Sequence, residues 1–138
     1  MKKSLGVFLR WLFFCLFYVF TIQAQVKSSF YDSGREKSTK GDYQGAIKDF
    51  DRVIEQYPNE SKPYYYRGVN KFNLKNYSSA FDDFNIAIGF NPKFGDAYYM
   101  RGMAKIGMKK RKEACIDFQI ANELGNPLAS SAIEKYCK

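Results

Sequence analysis

A spacing of 34 residues recurs along most of the chain and restricts what it can fold into. That step relates Phe30, Tyr64 and Tyr98; Tyr31, Tyr65 and Tyr99; Gly34, Gly68 and Gly102; Lys37, Lys71 and Lys105; Ala46, Ala80 and Ala114; Asp49, Asp83 and Asp117; and Phe50, Phe84 and Phe118. Columns in register to this extent mean three copies of one unit, of which residues 61–94 are the middle one. A unit of this length cannot bury its apolar face alone, so copies stack into a continuous core and the last one needs a cap.

Helical signals alternate with breakers along the stack. A first helix is expected over residues 28–39, ended by Gly41, with Asp42 as N-cap of a second helix that runs to about Tyr57 before Pro58 and Asn59. The next pair spans about 63–74 and 77–90, with Asn76 as cap and Asn91 and Pro92 as the stop. The third spans about 96–108 and 111–124, and Pro127 suits the first turn of a seventh helix through Tyr136. No stretch alternates as a β-strand would, so the chain reads as all-α, with seven helices after the leader.

The columns carry a packing logic. Ala and Phe four residues apart lie on one face of each second helix, where the small Ala admits the neighbouring helix and Phe fills the gap. Gly inside a helix costs about 1 kcal/mol against Ala, so Gly34, Gly68 and Gly102 in register imply a required close approach. Arg67, Arg101 and the Lys column share a side of the first helices, and their long stems can lie over the apolar seam and end on Asp49, Asp83 and Asp117. Contacts of this kind are expected between helices in at least two units.

Residues 1–24 read as a secretory leader, with Lys2, Lys3 and Arg10 in a positive segment, an apolar run from Trp11 to Ile22, and a cleavage site after Ala24. The alternative is an uncleaved anchor, because residues 5–22 approach the roughly 20 needed to span a bilayer, interrupted by Arg10. Cys15 lies inside the apolar run behind Phe14, which does not suit lipidation. The chain beyond residue 24 is long enough for one domain and one core. The formal charge of +8 loses those three leader cations and leaves a mildly basic chain.

The period, together with aromatic-x2-x-Gly, Ala-x3-Phe and a closing Pro, resembles the tetratricopeptide repeat, a helix-turn-helix unit that stacks into a right-handed superhelix. The resemblance divides the chain into repeats at 27–60, 61–94 and 95–128, with residues 128–138 as a capping helix. Leu128, Ala132, Ile133 and Tyr136 would form the inner stripe of that cap. Arg67 and Arg101 stand where the family pattern has Leu, and Lys37, Lys71 and Lys105 where it has Tyr. The first helix of each pair lines the concave groove in this family, which selects Tyr31, Arg35, Tyr65, Val69, Phe72, Tyr99, Met103 and Ile106. Some members grip a peptide C-terminus through Lys and Asn on this face. Tyr, Val and Met occupy those places here, so carboxylate-clamp recognition is not expected. The resemblance also brings the end of an antiparallel cap back beside the start of the preceding helix, pairing Cys115 with Cys137 as a disulfide that an exported protein can keep. Two small buried thiols are the other reading.

No site for chemistry assembles. The chain has no His, its carboxylates are scattered, the two remaining Cys have no base, and no Gly-rich phosphate loop follows a strand. No enzyme activity, cofactor or metal is expected. The leading expectation is an exported scaffold that holds a protein or peptide on a Tyr-rich concave face. The alternatives are an anionic envelope surface or polyanion bound through the basic turn of Lys105, Lys109, Lys110, Arg111 and Lys112, and a purely structural module. Export weighs against nucleic acid. Steep salt dependence would mark the basic turn, whereas an aromatic groove should be nearly insensitive to salt.

Overall fold

A computed structural model describes residues 2–138, with side chains from Leu9 onward except at 23, 24 and 26–28. It is all-helical: α1 (Lys2–Thr39), α2 (Tyr43–Gln56), α3 (Ser61–Asn73), α4 (Tyr77–Phe90), α5 (Gly95–Gly107), α6 (Arg111–Glu123) and α7 (Ala129–Tyr136). The N-terminal boundary differs most from expectation. The segment expected as a leader and the first expected helix form a single helix, because no Gly or Pro lies between Gly6 and Gly34 to interrupt it. Its apolar segment projects from the bundle, with Trp11, Phe13, Phe14 and Phe17 exposed. No helix among the described residues is long and apolar enough to cross a membrane. The seventh helix begins at Ala129, two residues later than the position of Pro127 suggests.

Consecutive helices pack as antiparallel neighbours, α1 with α2, α3 with α4, and α5 with α6, and each second helix also packs on the next first helix. The first helices α1, α3 and α5 touch one another across the pairs, so they form the inner layer of the stack. Phe50, Phe84 and Phe118 are fully buried with Ala46, Ala80 and Ala114 beside them. The glycine column explains how the rings fit: a Cβ built at Gly68 would lie 2.8 Å from the Phe84 ring, and one at Gly102 only 2.6 Å from the Phe118 ring. The close approach required by the sequence is therefore a ring lying against bare backbone.

The turn within each pair is built the same way three times. Asp42, Asn76 and Lys110 donate their backbone N–H to the carbonyls of Lys37, Lys71 and Lys105 at 2.8–2.9 Å. The residue before each has positive φ: Gly41 at 81°, Lys75 at 61° and Lys109 at 62°. This is the Schellman ending, which favours Gly at the left-handed position. Asp42 and Asn76 then cap the second helix by accepting from the N–H of Gly45 and Ser79, while Lys110 provides no side-chain cap.

The cap is covalently fastened. Cys115 and Cys137 form a disulfide with Cα atoms 5.7 Å apart, inside the range that a bridge tolerates. Ala132, Ile133 and Tyr136 pack with Ala114 and Phe118 of α6, as the expected inner stripe requires, whereas Leu128 stays exposed. A helix of 8 residues has little stability of its own, so the disulfide and this packing hold it in place.

Lys75 and Lys109 bear a left-handed strain that Gly41 avoids. Lys75→Gly and Lys109→Gly should each raise the free energy of unfolding by about 0.5–1 kcal/mol in chemical denaturation, while Gly41→Ala should lower it. Loss of stability in both Lys variants would contradict this account of the turn.

Candidate binding face

The face is positioned by a ladder of buried carboxylates. Asp49, Asp83 and Asp117 are each no more than 3% exposed. Arg67 donates to both oxygens of Asp83, from Nε at 2.9 Å and Nη2 at 2.6 Å, and Lys71 adds a contact at 2.8 Å. Arg101 and Lys105 repeat this on Asp117, at 3.0, 2.6 and 2.9 Å. In the first pair Ser33 and Lys37 hold Asp49, each at 2.7 Å. The expected contacts thus occur in all three pairs, with carboxylates more deeply buried than a surface pair. Burial works to raise the Asp49 pKa, yet the hydrogen bonds from Lys37 and Ser33 outweigh it and hold the carboxyl below its ordinary value.

Each Arg also reaches back one pair. Arg67 meets Asp51 of α2 at 2.7 Å, and Arg101 meets Asn85 of α4 at 2.8 Å. One guanidinium therefore ties three successive helices, a use of its fork that Lys does not offer. The ladder also uses up Lys37, Arg67, Lys71, Arg101 and Lys105 of the first helices. Lys105 belongs to it, and Arg111 donates to the Tyr136 carbonyl and, at 2.9 Å, to the Lys138 carbonyl. Of the basic turn, Lys109, Lys110, Arg111 and Lys112 remain exposed, and Lys105 is half-buried.

The residues expected to line the groove lie on α1, α3 and α5, half-buried except Arg35, which is exposed. Tyr31 meets Phe50 edge-on at 5.8 Å, Tyr65 lies 4.7 Å from Phe94, and Tyr99 lies 5.8 Å from Phe118. Val69 and Phe72 pack on Ala80, Phe84 and Ala104, and Met103 and Ile106 pack on Ala114, Phe118 and Ala132. These side chains therefore serve packing with one side and leave the other open. Replacing a Tyr of this column by Ala would lower stability as well as alter the surface.

Two aromatic members of this face, Tyr66 and Phe94, do not stand out in the sequence. Tyr66 stacks on Phe50 at 5.6 Å and meets Tyr31 at 5.5 Å and Tyr65 at 5.2 Å, with the Arg35 guanidinium 5.8 Å from its ring. Its column reads Asp32, Tyr66, Met100, and that of Phe94 reads Glu60, Phe94, Leu128, so neither recurs as an aromatic. Clustering of three consecutive Tyr at 64–66 is the one signal that could have found Tyr66. Burial, followed by the Asp96 carboxylate, pushes the Tyr65 phenol up to about 12. Tyr31 is also raised, by burial first and then by Tyr66.

A family model described as tetratricopeptide repeat matches residues 28–60. No curated protein matches the chain in sequence. Among solved structures, the first TPR of Spaghetti (RPAP3) bound to the HSP90 peptide SRMEEVD is similar with a TM-score of 0.78 and 26% identity, covering 82% of this chain and 91% of that one. The second TPR domain of human RPAP3, in complex with the HSP70 peptide SGPTIEEVD, has a TM-score of 0.78 and 25% identity over 84% of this chain and 98% of that one. The Arabidopsis OM64 TPR domain, at 21% identity and a TM-score of 0.80 over 83% and 97% of the two chains, shares the fold.

The raised phenol gives a pH signature. The Tyr65 pKa in the folded chain lies above the ordinary tyrosine value, so its contribution to stability is complete below about pH 10 and is lost as pH rises towards 12. The melting temperature should fall across that interval, and Tyr65→Phe should flatten the fall. An unchanged alkaline profile in Tyr65→Phe would contradict the assignment.

Proposed function

We propose that this tetratricopeptide-repeat chain is an exported scaffold that holds a peptide or an extended segment of a partner protein on the face of α1, α3 and α5. The observation that carries the reading is the row of half-buried aromatic and apolar side chains on that inner layer, from Tyr31 through Tyr65 to Met103 and Ile106. Rings with a polar tip give large contact area at low entropic cost. The similar RPAP3 domains hold peptides, which supports the same use here. The N-terminal leader and the Cys115–Cys137 bond both fit an oxidising compartment outside the cytosol.

The basic-turn alternative loses support because Lys105 and the exposed Arg111 have structural partners, leaving three exposed lysines around the start of α6. A solvated turn accounts for those. The site has no catalytic role in this reading, and it requires no cofactor or metal.

A photo-crosslinking residue in intact cells tests the reading by position. Placed at Arg35 or Met103 on the inner layer, it should give one shared crosslinked product; at Lys48 or Gln119, on α2 and α6, it should give none. Products only from the second helices would contradict it, and none from any position would favour a purely structural module.

A further inference from the structure

The last helix, α7, stands where a further repeat would place its first helix. Ala132, Ile133 and Tyr136 follow Tyr98, Tyr99 and Gly102 by 34 residues, and α7 packs on α6 as α3 does on α2 and α5 on α4. Tyr136 stacks on Phe118 at 6.0 Å, the relation that Tyr66 has to Phe50 at 5.6 Å. The helix therefore walls the last part of the inner layer. Ile133, Tyr136 and Cys137 pack in one cluster with Tyr99, Met103 and Ile106 of the proposed face, around Ala114, Phe118 and Ala132. This wall is short: with 8 residues against 13 in α5, and with no side-chain cap at its start, α7 does not hold its place as an isolated helix.

What fastens it lies at its far end. Cys137 follows the last turn and is bonded to Cys115, in the second turn of α6 and 22 residues earlier. Both cysteines are half-buried, so a thiol reagent reaches them from solvent. Arg111, at the start of α6, donates to the carbonyls of Tyr136 and Lys138 on either side of Cys137. The guanidinium draws the chain end towards Cys115 independently of the bond.

Resting on the reading that the inner layer binds a partner, we infer that the Cys115–Cys137 bond is a redox latch that completes the α5 end of the binding face. Closed, it keeps α7 seated and Tyr99 and Met103 set for the partner; open, α7 leaves and that end of the face is lost. Closing is thiol–disulfide exchange with a disulfide oxidant. The thiolate of one cysteine attacks a sulfur of the oxidant and releases the other sulfur as a thiol; the second cysteine then attacks the first, forming the bond and releasing the second thiol. Two electrons and two protons pass from the cysteine pair to the oxidant, and a dithiol reductant reverses both steps. Binding at this end therefore follows arrival in a compartment that supplies disulfide oxidants.

The test uses the purified full chain, oxidised and after dithiothreitol, and the double variant Cys115→Ser with Cys137→Ser. Closing a loop of this length shifts the balance between seated and released α7 by about 100-fold. Amide hydrogen-exchange protection of residues 129–136 should fall by about that factor on reduction and in the double variant, while α3 and α4 keep theirs. The fluorescence of bis-ANS should rise as the seat around Phe118 is uncovered. If the double variant does not fold, the reduced wild-type chain supplies the same comparison. Unchanged protection in α7 overturns the latch, and so does loss of protection throughout the chain, which would make the bond a staple of the whole fold. In intact cells, a photo-crosslinking residue at Met103 should give about five-fold less of the shared product in the double variant, while one at Arg35 keeps its yield. Equal yields from Met103 overturn control of the face and leave peptide binding intact. No product from Arg35 or Met103 in either chain overturns both.

Discussion

A buried carboxylate held between helices by basic side chains is the contact on which the rest of this structure depends. Asp83 is 2% exposed and accepts from both Arg67 and Lys71, while the same Arg67 reaches Asp51 on the preceding pair. A charge in such a place is costly unless fully partnered, and loss of its partners destabilises by about 3–5 kcal/mol. The contact therefore selects one rotation of each helix about its axis. In that rotation Gly68 lies under the Phe84 ring, and Tyr65 and Val69 turn towards the inner layer. Register is the main product of the ladder, and the hydrophobic core that it aligns supplies most of the stability.

The same contact shapes the surface. Basic side chains that would have lined the first helices are drawn into the seam, and what remains outward is aromatic and apolar with a few charges at its margins. The RPAP3 domains similar in shape hold peptides ending in EEVD. The inner layer of this chain carries half-buried Tyr31 and Val69. The fold is shared, and the chemistry of the inner layer of this chain depends on where its own cations are drawn.

Most of the fold was legible because it repeats. The Gly, Ala, Asp and Phe columns recur at 34 residues, and each has a geometric cause that repeats with it: ring on backbone, small residue at a crossing, carboxylate under an arginine. The cap was legible in Pro127 and the stripe that follows it, whereas the pairing of Cys115 with Cys137 followed from the family resemblance, with two buried thiols as the other reading. Features without a period were harder to see. Tyr66 and Phe94 occupy columns whose other members are not aromatic, and the continuity of the N-terminal segment with the first repeat helix depends on missing breakers rather than on any signal present. Asn70 is another such case. It is buried with its Oδ1 unpartnered where the next repeat has Ala104, and packing at that one step gives no physical account of the amide.

The most direct test of the ladder is the unfolding free energy of Asp83→Ala and Asp117→Ala measured by chemical denaturation, with the corresponding change at exposed Asp82 as reference. If the carboxylates fix the stack, each buried variant loses about 3 kcal/mol or more, and its near-ultraviolet circular dichroism weakens as the aromatic rings lose their setting. A loss under about 1 kcal/mol with the aromatic signal intact, as for an ordinary surface ion pair, would contradict the account.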